Sequence, residues 1–233
     1  MPTSPNYYHQ GWIYGPPTCV ILHSTRSGRR DFDHLQELAA TVGWFQNPAS
    51  QASAQRVVSP TDAVRMVPDE YPSWATGWHN WQGYNIELTQ PMWNTPFEDG
   101  HYTNLARVCA DYVRQGIPIR RIEYLPYSSK EGGFVQHQDT EQGIAAGKSD
   151  LGVMFDWGRF FAELQNEAPE AQEDHEMLYV IKKEGSNTLH MSDGIHRWGI
   201  PEQDIVKEMR RKFLVASGVR VLSPGTFSRI KPA

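Results

Sequence analysis

Five side chains of this 233-residue chain are of types that metal-assisted chemistry uses: His23, Glu87, His137, Lys148 and Asp150. Two histidines and one carboxylate form a standard three-ligand set for a catalytic Zn2+ that keeps its fourth position open. A single carboxylate leaves such a site with a net charge of about +1, enough to acidify water. No HExxH pair and no CxxC is present, which excludes a helix-borne zinc protease motif and a zinc finger. Any metal site here is assembled from positions far apart in the chain.

The elements that must carry these residues can be read from local pattern. CVILHST (19–25) is a short apolar run ending in polar residues, the pattern of a buried strand that opens on a surface at His23. A histidine there is equally a core residue with satisfied hydrogen bonds. In GYNIELTQ (83–90), Ile86 and Leu88 alternate with Asn85, Glu87 and Thr89, so Glu87 faces away from the aliphatics. A buried carboxylate needs a partner or a function, whereas an edge strand would leave it solvated. Residues 134–152, FVQHQDTEQGIAAGKSDLG, have no hydrophobic period and three glycines, and read as a loop holding His137, Lys148 and Asp150. Asp139, two residues from His137, is the rival carboxylate.

Around these lie the supporting elements. Residues 1–17 form an extended arm. Helices are expected over 31–43, 103–115 and from Trp157, where Trp157, Phe160, Phe161 and Leu164 make a core stripe. Residues 53–59 and 63–68 pair as a hairpin about Pro60-Thr61-Asp62, and 117–126 holds a short strand. The aromatic stretch 69–82, with Trp74, Trp78, His79 and Trp81, either lines a sugar or peptide groove or packs as a flap.

Net charge is −5, and the acidic excess lies in residues 1–167, which speaks against a nucleic-acid footprint. Cys19 and Cys109 each sit in an apolar segment and read as buried free thiols. The first residues lack the basic and apolar regions of a secretory signal, and no run of about 18 apolar residues marks a membrane span. The polar stretch NEAPEAQEDHE (166–176) marks a boundary between a first domain, 1–167, and a small module, 168–233. That module reads as ββαβ: strands at 177–183 and 188–193, a helix from Pro201, and a strand at 219–223.

ILHST, the SA-x-x-VV strand, VPDE with the Trp-rich loop, YNIEL, and H…K-x-D-x-G followed by FDWGRF occur in one order over residues 18–165. This set resembles the zinc-dependent N-acetylmuramoyl-L-alanine amidases of type 2, related to peptidoglycan recognition proteins and common among bacteriophage endolysins. The resemblance implies a mixed α/β fold: a central, mostly parallel or mixed sheet flanked by helices, with a zinc groove on one face. It implies zinc on His23, His137 and Asp150, Glu87 as general base and Lys148 as the charge that steadies the oxyanion. Trp74, Trp78 and His79 are the expected substrate contacts; His101 is read as a groove or surface residue. The pattern departs where Gln55 and Arg56 replace a His-aromatic pair and Ala75 replaces a histidine.

The expectation is a monomeric peptidoglycan amidase of the endolysin kind, made in the host cytoplasm and acting on the wall after release. The alternatives are a non-catalytic recognition protein on the same fold, or a zinc peptidase cutting within the stem peptide. The module 168–233 is expected to bind cell wall, or to serve stability or oligomerisation.

Overall fold

The computed structural model describes residues 3–168 and, beyond them, the backbone of segments 179–183, 189–192, 196–199, 220–222 and 231–232. The chain divides into two compact units, Met1–Pro169 and Glu170–Ala233.

The first unit is a mixed α/β domain. Its elements are β1 (Cys19–Ser24), α1 (His34–Gln46), β2 (Arg56–Val58), β3 (Ala63–Arg65), β4 (Gly83–Leu88), α2 (Asp99–Arg114), β5 (Gly133–Gln136), α3 (Glu141–Ala145) and α4 (Trp157–Glu167). The sheet order is β3-β2-β4-β1-β5. β1 runs parallel to both β4 and β5, β2 is parallel to β4, and β2 and β3 form the antiparallel hairpin. β1 lies inside the sheet between β4 and β5, and every residue in it is buried, as a parallel strand covered on both faces requires.

The pleat divides the residues of this sheet between two environments. Val20 and Leu22 of β1, Tyr84, Ile86 and Leu88 of β4, and Phe134 of β5 join residues of α2 and α4 in the main core. Cys19 and Ile21 of β1 and Val135 of β5 turn to the other face with Ile122 and Leu125. Leu38 and Phe45 of α1 pack against Val57 and Met66 in a third cluster. His23, Asn85 and Glu87 therefore stand opposite the main core, with His23 and Glu87 paired across β1 and β4.

Several boundaries differ from the sequence pattern. Helix α1 starts after Asp33, whose carboxylate caps Gln36 N while Gln36 returns a bond to the Asp33 amide. It continues through Gly43 and ends before Pro48. Helix α2 begins four residues earlier than expected, and the Glu98 amide donates to His101 Nδ1 (3.0 Å) across its first turn. Residues 117–126 form no strand; they contribute only the isolated bridges Arg121–Phe134 and Leu125–Thr140. Residues 134–136, expected as loop, are the buried strand β5. A strand so short displays no period, and Phe134 and Val135 serve opposite faces.

The amino-terminal arm lies along this unit. Ser4 N donates to Met66 O (2.8 Å), Tyr8 N to Pro72 O (3.0 Å) and Trp12 Nε1 to Asp69 O (2.7 Å). Cys19 and Cys109 are both free and buried. No helix among the described residues is long and apolar enough to cross a membrane.

The second unit contains β6 (Tyr179–Lys183), β7 (Leu189–Ser192), β8 (His196–Gly199), β9 (Arg220–Leu222) and β10 (Lys231–Pro232), in the order β10-β8-β7-β6-β9. Three of these were expected, and β8 and β10 add to them. The helix expected from Pro201 and most of the polar boundary 166–176 lie outside the described residues; Asn166 and Glu167 end α4.

Candidate metal centre

The parallel register of β1, β4 and β5 brings together residues separated by more than a hundred positions. His23 stands near the end of β1, and His137 follows β5 directly. Their Nδ1 atoms are 3.0 Å apart, and Asp150 Oδ2 lies 3.5 Å from the first and 3.4 Å from the second. All three residues are buried. These are the His, Cys, Asp or Glu residues that converge closely enough to hold an ion among the described residues.

The remaining ring nitrogens are already engaged. His23 Nε2 meets Asn85 Oδ1 at 3.0 Å. Asn85 Nδ2 donates to Ser73 Oγ (3.0 Å) and to the Gly83 carbonyl (3.3 Å), so its oxygen faces the imidazole. His137 Nε2 meets Gln142 Oε1 at 2.9 Å. Both rings thus carry hydrogen on Nε2 and turn bare Nδ1 atoms towards one another and towards Asp150. Burial lowers the pKa of His23, His137 lowers it further, and Asp150 opposes both. Burial alone would raise the Asp150 carboxyl, but the two imidazoles beside it, His137 and His23, hold it well below the carboxylate range.

This donor set fits zinc. Tetrahedral bonds of about 2.0–2.1 Å place ligand atoms about 3.3 Å apart, close to the 3.0, 3.4 and 3.5 Å edges of this triangle. The outer hydrogen bonds to Asn85 and Gln142 are the kind that fix ring orientation in metal sites.

Short-range structure supports the triangle. The Asp150 carbonyl accepts from Gln138 N (3.0 Å), tying the two ligand segments together. Gly143 is needed where α3 packs on the turn after β5: a Cβ there would lie 1.8 Å from the His137 carbonyl oxygen. Asp139, the rival carboxylate, instead accepts from Gln136 Nε2 (2.9 Å) and lies 3.4 Å from Arg121.

Glu87 and Lys148 line the same hollow of about 730 Å3 as His23, His137 and Asp150, with Trp74 and Ala75 also on its wall. Glu87 Oε2 is buried and has no hydrogen-bond partner among the described residues. Its pKa is pushed up to about 8, first by burial and then by Asp150, with Lys148 opposing. A buried carboxylate without a partner, beside a ligand set, is of the type that can exchange protons.

The aromatic loop divides its residues differently from expectation. Trp74 borders this hollow, whereas Trp78 lines another with Tyr14, Trp81 and Tyr127. His79 does not face a groove: it has no exposed surface, its Nδ1 bonds Gln82 Oε1, and its ring stacks on Tyr127 at 4.5 Å. Its Nε2 faces the Gln142 amide across 3.5 Å, behind His137. His101 is likewise fully buried, bonded to Thr89 and to the Glu98 amide, and is not a surface residue. Gln55 and Arg56, which depart from the resembled pattern, are structural. Gln55 Oε1 accepts from Asn85 N (2.6 Å), and Arg56 forks onto Asp69 at 2.9 and 2.6 Å.

Sequence reasoning did not single out Asn85 or Gln142. Asn85 shares the strand face of Glu87, so the alternation in β4 held a clue to it. Gln142 depends on the turn between β5 and α3, which leaves no local signature.

A mixed α/β domain with two histidines and a carboxylate at the mouth of its parallel strands defines a candidate metal hydrolase. The N-acetylmuramoyl-L-alanine amidase family, Amidase_2, matches residues 14–152, and the chain belongs to that family. Among solved structures it is similar to a selenomethionine derivative of AmpD, at 19% identity and a TM-score of 0.52, covering 70% of this chain and 92% of that one. It is also similar to the hydrolase AmiA of Staphylococcus aureus in complex with its ligand (15% identity, TM-score 0.49, 70% and 78% coverage). A mutant endolysin from Bacillus subtilis matches at 16% identity and a TM-score of 0.46, covering 69% and 92%. No curated protein matches the chain by sequence.

Proposed function

We propose that the chain is a zinc-dependent N-acetylmuramoyl-L-alanine amidase that cuts the amide between the lactyl group of N-acetylmuramic acid and L-alanine. The observation that carries this reading is the convergence of His23, His137 and Asp150 in one hollow with Glu87 and Lys148, in a chain of the amidase family.

His23, His137 and Asp150 would hold the ion. Bound there, zinc would supply Lewis acidity that acidifies water and polarises a carbonyl. Glu87 takes the proton of the attacking water through its unpartnered Oε2 and delivers it to the departing alanine nitrogen. The new bond joins the water oxygen to the lactyl carbonyl carbon, and the carbon–nitrogen bond breaks. The Lys148 ammonium offsets charge on the carbonyl oxygen as it becomes negative. Trp74 borders the hollow where the muropeptide would lie.

We further place the protein as a phage endolysin, made in the host cytoplasm and reaching the wall after a membrane lesion opens the way. The unit Glu170–Ala233 would bind wall. Its separation as a compact unit supports this role, as does the higher positive share of residues 168–233.

Digestion of purified wall tests the activity. New amino-terminal alanine with intact glycan is expected, and release of internal stem-peptide amines would overturn the reading in favour of a peptidase. Chelator-treated protein should lose lysis and regain it with zinc. Cosedimentation of the full chain and of residues 1–169 with wall tests the second unit.

A further inference from the structure

Asp150 is the one metal-ligand candidate not carried by a strand or its immediate continuation, so something else must hold it. Between His23 and helix α1 the chain makes a tight turn in which Arg26 adopts a left-handed backbone (φ 46). A non-glycine residue in that region is strained and persists only where its surroundings over-determine it.

Those surroundings are visible on both sides of Arg26. Glu37, fully buried on α1, accepts from Thr25 Oγ1 (2.5 Å), Ser27 N (3.0 Å) and Ser27 Oγ (2.5 Å). Arg26 N donates to Gln90 O (2.9 Å), and Arg26 Nε donates to Gln90 Oε1 (3.0 Å). The turn is thereby fixed to α1 and to the chain leaving β4.

The guanidinium then reaches across to the Asp150 segment. Nη1 donates to Ser149 Oγ (2.7 Å), and Nη2 donates to Ser149 O (2.9 Å) and Leu151 O (3.0 Å). The bonded residues are the two neighbours of Asp150. Gly152 (φ 77) completes the fit, because a Cβ there would lie 3.3 Å from Arg26 Nη2.

We propose that Arg26 is a positioning residue for the metal centre: its guanidinium clamps Ser149 and Leu151 and so sets the Asp150 carboxylate against His23 and His137. Only a planar fork of several donors can serve these acceptors together; a lysine ammonium on a flexible stem cannot. Glu37 acts one step further out, holding Thr25 and Ser27 on either side of the clamp. Lys148, next to Ser149, is placed by the same contacts. The proposal rests on the reading of His23, His137 and Asp150 as metal ligands.

The test uses the full chain as wild type, Arg26→Ala and Arg26→Lys. Zinc affinity is measured by competition with a chromogenic chelator, and ligand geometry by the visible spectrum of the Co2+-loaded protein. Melting of the metal-free proteins reports folding. Arg26→Ala should melt as a folded protein yet lose zinc affinity by about 10- to 100-fold, with an altered Co2+ spectrum. Guanidinium ion at sub-denaturing concentration should restore part of the loss in Arg26→Ala, and Arg26→Lys should remain impaired. A folded Arg26→Ala with the zinc affinity and Co2+ spectrum of wild type overturns the clamp. If Arg26→Ala does not fold, Arg26→Lys decides by the same two measurements, wild-type behaviour again counting against the proposal. Wild-type protein that takes up no zinc overturns the metal reading itself, a failure recognised before any substitution is made.

Discussion

The Nδ1 atoms of His23 and His137 face each other across 3.0 Å. Each ring's other nitrogen is committed, to Asn85 in one case and Gln142 in the other. Two imidazole lone pairs directed at one another repel unless a proton or a cation lies between them. Asp150 Oδ2, at 3.4–3.5 Å from both, supplies the anionic side of the same triangle.

The first expected consequence concerns metal. Zinc that binds the folded chain and not the unfolded one stabilises it by about 2.7 kcal/mol at a hundredfold excess over Kd. Melting temperature should therefore rise with added zinc and fall with chelator. His23→Ala should abolish the zinc-dependent part, which differential scanning calorimetry would detect.

Asn85 and Gln142 fix the ring orientations. Asn85→Ala and Gln142→Ala should each weaken zinc binding by about 10- to 100-fold, measured by chelator competition. Unchanged affinity in both would show that the rings are positioned by packing alone.

Glu87 should make stability pH-dependent in the metal-free protein. Its folded pKa of about 8 exceeds the ordinary value of 4.5. Between these values the native state holds a proton that the unfolded chain has released, so stability falls as pH rises through this window and levels off above it. Glu87→Gln should stabilise the metal-free protein at pH 9, by up to about 5 kcal/mol for a shift of this size, seen as a higher melting temperature, and leave it nearly unchanged at pH 4. A bound divalent cation favours the carboxylate and should flatten the dependence.

The same substitution should separate binding from chemistry. Glu87→Gln should keep wild-type zinc content while lytic activity on purified wall falls about 100-fold or more. Loss of zinc along with activity would mean that Glu87 serves the ligand shell instead.

Leu22 tests the scaffold. It is fully buried at the centre of β1 and packs in the main core. Leu22→Ala should cost about 2–5 kcal/mol by denaturant titration. The same variant should also weaken zinc binding, since His23 is the next residue on that strand.

Much of the fold was legible because local patterns and burial agreed. The apolar run at 19–24, the alternation in 83–88 and the stripe from Trp157 each mark an element whose buried face is written in consecutive residues. The hairpin at Pro60-Thr61-Asp62 was readable for the same reason. Helix starts were less so, because the caps at Asp33 and Glu98 involve side-chain bonds that compete with helical periodicity. The strand at 133–136 was hidden: four residues buried on both faces show no period.

By itself the sequence determined which residue types were on offer, and it placed Asn85 and Glu87 on the strand face opposite Ile86 and Leu88, because a strand alternates every second residue. Tertiary structure alone decided that β4, β1 and β5 lie side by side in register, which sets His23 beside Glu87 and within reach of His137. It also engaged Asp139 with Gln136 and Arg121, left Asp150 to the histidines, and buried His79 behind the site. The physical reason is common to all of these: strand order and long-range hydrogen bonds depend on pairings between segments far apart in the chain, which no local pattern of residues encodes.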